Sequence, residues 1–159
     1  MFHVKHKLVC YSAYKQSLFG MTEKAIKKPQ HITTGTVGEA LAQRYLEGLG
    51  YRTVDKNYRK RWGELDLVCE RDKRVYFIEV KAVSYGTQND FQQAYQTGTF
   101  RPELHVTPKK RRSLRRIIDT WCAERRYEGE IQVDIVAVYQ VPLEKYAAVE
   151  IFPNIDLEN

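Results

Sequence analysis

Two neighbouring apolar segments of this chain are interrupted by charge, and charge inside apolar strands restricts a fold more than any other feature here. Gly63-Glu64-Leu65-Asp66-Leu67-Val68-Cys69 alternates and reads as a strand, with Glu64 and Asp66 on one face and Leu65 and Leu67 on the other. Arg71-Asp72-Lys73-Arg74 reads as a polar turn. Val75 to Lys81 is rich in β-branched and aromatic residues and reads as a second strand, with Val75, Phe77, Glu79 and Lys81 sharing a face. Strands joined by so short a turn are expected to pair antiparallel.

Charges in such strands are costly unless they have a partner or a task. A surface ion pair between Glu79 and Lys81 is the plain alternative. If the faces match, however, Asp66, Glu79 and Lys81 converge. Crowded carboxylates raise one another's pKa, and a divalent cation relieves the repulsion. Mg²⁺ takes one or two carboxylates and completes its shell with waters and phosphate oxygens. A nearby lysine can orient an attacking water or steady the charge that grows on a phosphate. These are the parts that metal-dependent phosphodiester hydrolysis needs.

The rest of the chain fits one domain. Its 159 residues are 43% hydrophobic and 29% charged, which excludes a wholly disordered chain, a collagen and a disulfide scaffold. No stretch approaches the roughly 18 to 20 apolar residues that span a bilayer. Cys10, Cys69 and Cys122 are widely spaced and form no CxxC, so a reducing, cytoplasmic setting is expected. Residues 1–31 carry six lysines and one glutamate and read as a basic, flexible extension, with Met21 as an alternative start; residues 32–159 form the domain. No P-loop, Rossmann glycine pattern, HExxH or GxSxG is present.

Val37, Ala40, Leu41, Tyr45, Leu46 and Leu49 recur at helical spacing, with Thr34 or Thr36 available as cap. With Thr36 as cap, Glu39 takes the capping-box position. A short extended segment follows at about 51–57. Residues 82–106 lack periodicity and read as a long connection, functional or mobile. Thr107-Pro108 opens a helix whose stripe is Leu114, Ile117, Ile118, Trp121 and Cys122. Ile131 to Tyr139 and Tyr146 to Phe152 read as strands. The sum is an α/β domain with helices packed on a central mixed sheet.

Residues 101–126 hold nine basic and three acidic groups, a local block in an otherwise nearly neutral body. Lys109, Lys110, Arg111, Arg112, Arg115 and Arg116 crowd the start of the second helix, where cations oppose the helix dipole. Phosphates supply a reason for them; a solvated basic face is the bland alternative. Lys109, Lys110, Arg112, Arg116, Arg59 and Arg61 are the candidate nucleic-acid contacts, and Trp62 is placed to stack on a base or to pack.

Gly38-Glu39-Ala40, Gly50-Tyr51, Asn57-Tyr58-Arg59, Gly63-Glu64-Leu65-Asp66-Leu67-Val68, Phe77-Ile78-Glu79-Val80-Lys81 and Val133-Asp134-Ile135-Val136 together resemble the bacterial UPF0102 (YraN) family over residues 35–139. That family is similar to the PD-(D/E)xK restriction-endonuclease-like superfamily, and within it to archaeal Holliday-junction resolvases. The resemblance implies a restriction-endonuclease-like fold, with Asp66, Glu79 and Lys81 as the catalytic set. It implies Glu39 as a further acidic member, so that Asp66, Glu79 and Glu39 hold Mg²⁺ or Mn²⁺. The implied activity is an endonuclease acting on DNA, branched or single-stranded forms included, and a homodimer would serve two-strand cleavage. Two departures stand out: Val83 replaces the family's usual basic residue, and Ser84 to His105 is long. Two other readings remain open: a nucleic-acid-binding module with weak turnover, and an adaptor that meets a protein partner through residues 82–106 and the basic helix.

Overall fold

The computed structural model describes Val9–Cys10 and residues 33–158. In chain order the elements are β1 (Val9–Cys10), α1 (Thr34–Gly48), β2 (Arg52–Lys60), β3 (Gly63–Arg71), β4 (Arg74–Ser84), α2 (Gln88–Thr97), α3 (Pro108–Arg125), β5 (Ile131–Val141) and β6 (Tyr146–Phe152). Short 3₁₀ turns lie at Pro102–His105 and Pro142–Glu144. Of the basic extension, only Val9 and Cys10 are described, and they pair antiparallel with Val149 and Ala148 of β6. The rest of it, Met21 included, lies outside the described residues.

The sheet runs β1-β6-β5-β4-β3-β2. Among the described strands only β4 and β5 pair in parallel, and the chain reaches β5 from β4 through α2 and α3. The expected mixed sheet flanked by helices is therefore present. The β3–β4 hairpin closes on Asp72 and Lys73, both at positive φ (52° and 63°), the twist that a two-residue hairpin loop requires.

Each face of the sheet has its own core. Under α1, Leu41, Ala42 and Leu46 bury against Leu67, Cys69, Tyr76, Ile78, Val136 and Val138. On the other face, Leu114, Ile117, Ile118 and Trp121 of α3 cover Leu65, Val68, Val75, Phe77, Val133 and Ile135. Phe77 and Trp121 meet edge to face at 5.3 Å. The odd-numbered residues of β5 continue along that face, and Ala137, Tyr139 and Val141 pack with Phe91 of α2.

Three expectations need correction. Leu65 and Leu67 do not share a face: Leu67 packs under α1 and Leu65 under α3, because the alternation of β3 breaks at Asp66, where the ladder to β4 ends. The segment 82–106 is not a structureless connection: β4 extends to Ser84 and α2 follows. Only Phe91 of α2 is buried, so an apolar period is absent; its signals are a Thr87–Asp90 capping box and Gly98 in the left-handed conformation. The cap of α1 is Thr33, whose hydroxyl accepts from the Thr36 N–H at 3.2 Å, rather than Thr34 or Thr36. Glu39 then lies in the second turn, beyond any capping box, and is available for another role.

Two close approaches fix the helices that flank the site. A Cβ on Gly38 would overlap the Ala82 methyl, so glycine lets α1 sit directly on β4. A Cβ on Gly63 would come within 2.6 Å of Ser113 Oγ, which donates to the Trp62 carbonyl and ties α3 to the start of β3.

Candidate active site

The β3–β4 ladder runs from Arg71↔Arg74 to Leu67↔Ile78 and stops there. The next residue of β3 is Asp66. Its Oδ2 accepts the Val80 N–H at 2.8 Å, a donor that a continued ladder would have satisfied with a carbonyl. The strands part at this point, and the carboxylate stands in the gap.

Glu79 is the first residue of β4 beyond the last ladder pair. It follows Val75 and Phe77 on the face that α3 covers, as alternation predicts. It is 3% exposed and has two cationic neighbours. Lys81 Nζ donates to Oε1 at 2.7 Å, and Lys110 Nζ, from the first turn of α3, lies 3.0 Å from Oε2. The Lys110 approach lacks hydrogen-bond geometry, so Oε2 has a charge partner but no hydrogen bond.

Burial pushes the Asp66 carboxyl up from 3.8 to about 7, and the charge of Glu79 adds to the rise. The Val80 N–H and the Lys110 ammonium restrain it, while Glu39 raises it further. Glu39 is also raised, first by burial. The Asn57 side chain and Arg59 hold it down, while Glu64 and Glu79 push it up. Asp66, Glu79 and Glu39 thus share one electrostatic field.

Asp66 and Glu79 fit a divalent cation. They supply two carboxylates, the number such an ion commonly takes from a protein, and the buried Oε2 has lone pairs that no N–H or O–H uses. Among the described residues no three His, Cys, Asp or Glu side chains form a ready metal cage. Glu39 acts on Asp66 through its charge and is not gathered with the other two carboxylates into such a cage.

The basic residues of α3 divide by what they meet. Lys110, expected on the nucleic-acid surface, sits against Glu79. Arg111 and Arg115 donate to the Asp156 and Leu157 carbonyls at 2.7 and 2.5 Å and hold the C-terminal segment. Arg116 lies over the Trp62 ring at 4.8 Å, and the indole N–H donates to Thr120. Lys109 and Arg112 are exposed. Arg59 pairs with Glu64 at 2.7 Å across β2 and β3, and Arg61 is exposed at the hairpin tip. Asp134, a motif residue, is buried, and its Oδ1 accepts from Gln132 and the Asn154 N–H. Val83 packs in the cluster around Phe91, in keeping with its apolar character.

The fold and this cluster define an α/β domain with a carboxylate–lysine site where two inner strands part. Residues 38–138 match the family model described as "Uncharacterised protein family UPF0102", and the chain belongs to that family. A UPF0102 protein of Mycolicibacterium vanbaalenii is 37% identical over 105 residues, covering 65% of this chain and 78% of its own. One from Syntrophomonas wolfei is 35% identical over 105 residues, covering 65% and 82%. One from Geotalea daltonii is 30% identical over 117 residues, covering 71% and 81%.

Proposed function

We propose that this protein is a Mg²⁺- or Mn²⁺-dependent endonuclease that hydrolyses phosphodiester bonds in DNA, with branched and single-stranded forms as the first substrates to try. One observation carries the reading: two acidic groups, the half-buried Asp66 and the buried Glu79, flank the break in the β3–β4 ladder beside Lys81, and Glu79 Oε2 has no hydrogen bond. A purely structural ion pair needs neither the second carboxylate nor the interrupted ladder.

Asp66 and Glu79 would hold the ion, and Glu39 would add negative charge to the same field. When bound, the ion supplies charge neutralisation for a phosphate and lowers the pKa of water. Lys81, held by Glu79, would donate to a phosphate oxygen as water attacks phosphorus and the P–O bond to the leaving sugar oxygen breaks. Lys109 and Arg112 near the start of α3, the Arg116–Trp62 pair at its middle and Arg61 at the β2–β3 turn offer exposed charge and an aromatic ring. They would hold the polyanion by its phosphates and stack an unpaired base. Cleavage of both strands of a branched molecule is simplest with two copies of the chain.

The test is cleavage of labelled duplex, single-strand, flap and four-way-junction DNA in Mg²⁺ or Mn²⁺, with EDTA, Asp66→Ala and Lys81→Ala as controls. Cleavage that needs the ion and disappears in both variants supports the reading. Salt-sensitive binding without cleavage of any substrate would replace it with a binding module. Neither binding nor cleavage would turn attention to protein partners.

A further inference from the structure

Lys110 stands where the nuclease reading has no need of a resident cation. Glu79 already has Lys81 on Oε1 at 2.7 Å. The second ammonium, at 3.0 Å from Oε2, faces the one carboxylate oxygen of the site that is buried and makes no hydrogen bond. It also bears on Asp66, whose ionised form it favours. Lys110 therefore neutralises the two carboxylates that would hold a divalent ion. Its side chain remains a quarter exposed, with a path to solvent, and its neighbours Lys109 and Arg112 on the first turns of α3 are exposed.

We infer that Lys110 is a switching counter-ion: it holds Glu79 while the metal is absent and transfers to a DNA phosphate when the metal arrives. This inference rests on the proposed metal-dependent reading of the same site. A divalent cation taken up by Asp66 and Glu79 repels an ammonium that shares Oε2, because like charges at contact distance in a buried setting are weakly screened. The lysine stem is flexible and its head has three donors, so the displaced group can re-aim without moving α3. Phosphate is the partner within the chemistry of the site: it is anionic, and the N-terminal end of α3 favours anions. The consequence is linkage. DNA that captures Lys110 frees the carboxylates for the ion, and the ion frees Lys110 for DNA, each raising the affinity of the other. Metal loading is thereby tied to substrate arrival.

The test is calorimetric titration of the full chain with Mn²⁺, alone and with a short single-stranded DNA whose phosphorothioate linkages resist cleavage. Wild type, Lys110→Met and Lys110→Arg are compared, with thermal melts to show that each is folded. Without DNA, Lys110→Met should bind Mn²⁺ about fivefold or more tightly than wild type, and Lys110→Arg should behave as wild type. With DNA, the gain in Mn²⁺ affinity should be smaller for Lys110→Met than for wild type. Unchanged or weaker Mn²⁺ binding by Lys110→Met would overturn the inference and make Lys110 a structural support of Glu79. No Mn²⁺ binding by wild type, with or without DNA, would overturn the metal-dependent reading itself and this inference with it.

Discussion

Replacing Asp66 with asparagine should stabilise the metal-free protein above neutral pH, although it disables the proposed site. The folded state holds this carboxyl at about 7 against an ordinary value of 3.8, chiefly because its partial burial strips water from it and, next, because of the Glu79 charge. Between those values the folded chain keeps a proton that the unfolded chain has released. The stabilisation is therefore complete below about pH 4 and is lost as pH rises through about 7. The full loss is on the order of 4 kcal/mol, at about 1.4 kcal/mol for each pH unit between the two values. The asparagine side chain would keep the shape and an oxygen for the Val80 N–H but cannot ionise. Urea unfolding in EDTA from about pH 5 to about pH 8 reads the effect as the difference between Asp66→Asn and wild type, which cancels the groups common to both. That difference should grow with pH toward roughly 2 to 4 kcal/mol in favour of the variant, and Mg²⁺ should narrow it by binding the native wild type. A flat difference, or a variant less stable at about pH 8 than at about pH 5 relative to wild type, would refute the reasoning.

Gly38→Ala should lower stability by about 1 to 3 kcal/mol, read by chemical denaturation, because the new methyl overlaps Ala82 and pushes α1 off β4. Cleavage should fall with it, since Glu39 moves with α1. Phe91→Ala should cost about 3 to 5 kcal/mol, measured by the same method, and should raise hydrogen exchange in α2 first, because that ring is the only buried side chain of the helix. Neutralising Lys109, Arg112 and Arg116 together should reduce the slope of log affinity for duplex DNA against log salt by roughly 2 to 3, seen by fluorescence anisotropy. An unchanged slope would take α3 off the contact surface.

The strands, and the β4 row of the candidate site, were legible because period-two alternation is a local property; in β3 it breaks at Asp66, which puts Leu65 under α3 and Leu67 under α1. In β4 it puts Glu79 and Lys81 on the row of Val75 and Phe77, and the structure keeps Val75 and Phe77 under α3 with Glu79 against Lys110 of that helix. What Asp66 does is not local: its carboxylate replaces a ladder bond to a neighbouring strand, which no spacing rule announces. The basic run of α3 looks uniform in sequence, yet Lys110 turns to Glu79 while Arg111 and Arg115 turn to C-terminal carbonyls. Those partners are decided by where distant segments pass. The start of α1 was ambiguous because Thr33, Thr34 and Thr36 can all cap. A tertiary contact, from buried Gln140 Nε2 to the Thr34 carbonyl at 2.8 Å, accompanies the register in which Thr33 does so. Helix α2 has little sequence signature because a helix that buries one side chain leaves capping as its main signal.

The most direct test of the central claim is the loss of the free Mn²⁺ electron paramagnetic resonance signal on titration into the full chain with cleavage-resistant DNA. Wild type should bind a single saturable ion, and Asp66→Asn and Glu79→Gln, shown by melting to be folded, should each lose that binding. Full Mn²⁺ binding retained in both variants, or none by wild type, would contradict the assignment of these two carboxylates as a metal centre.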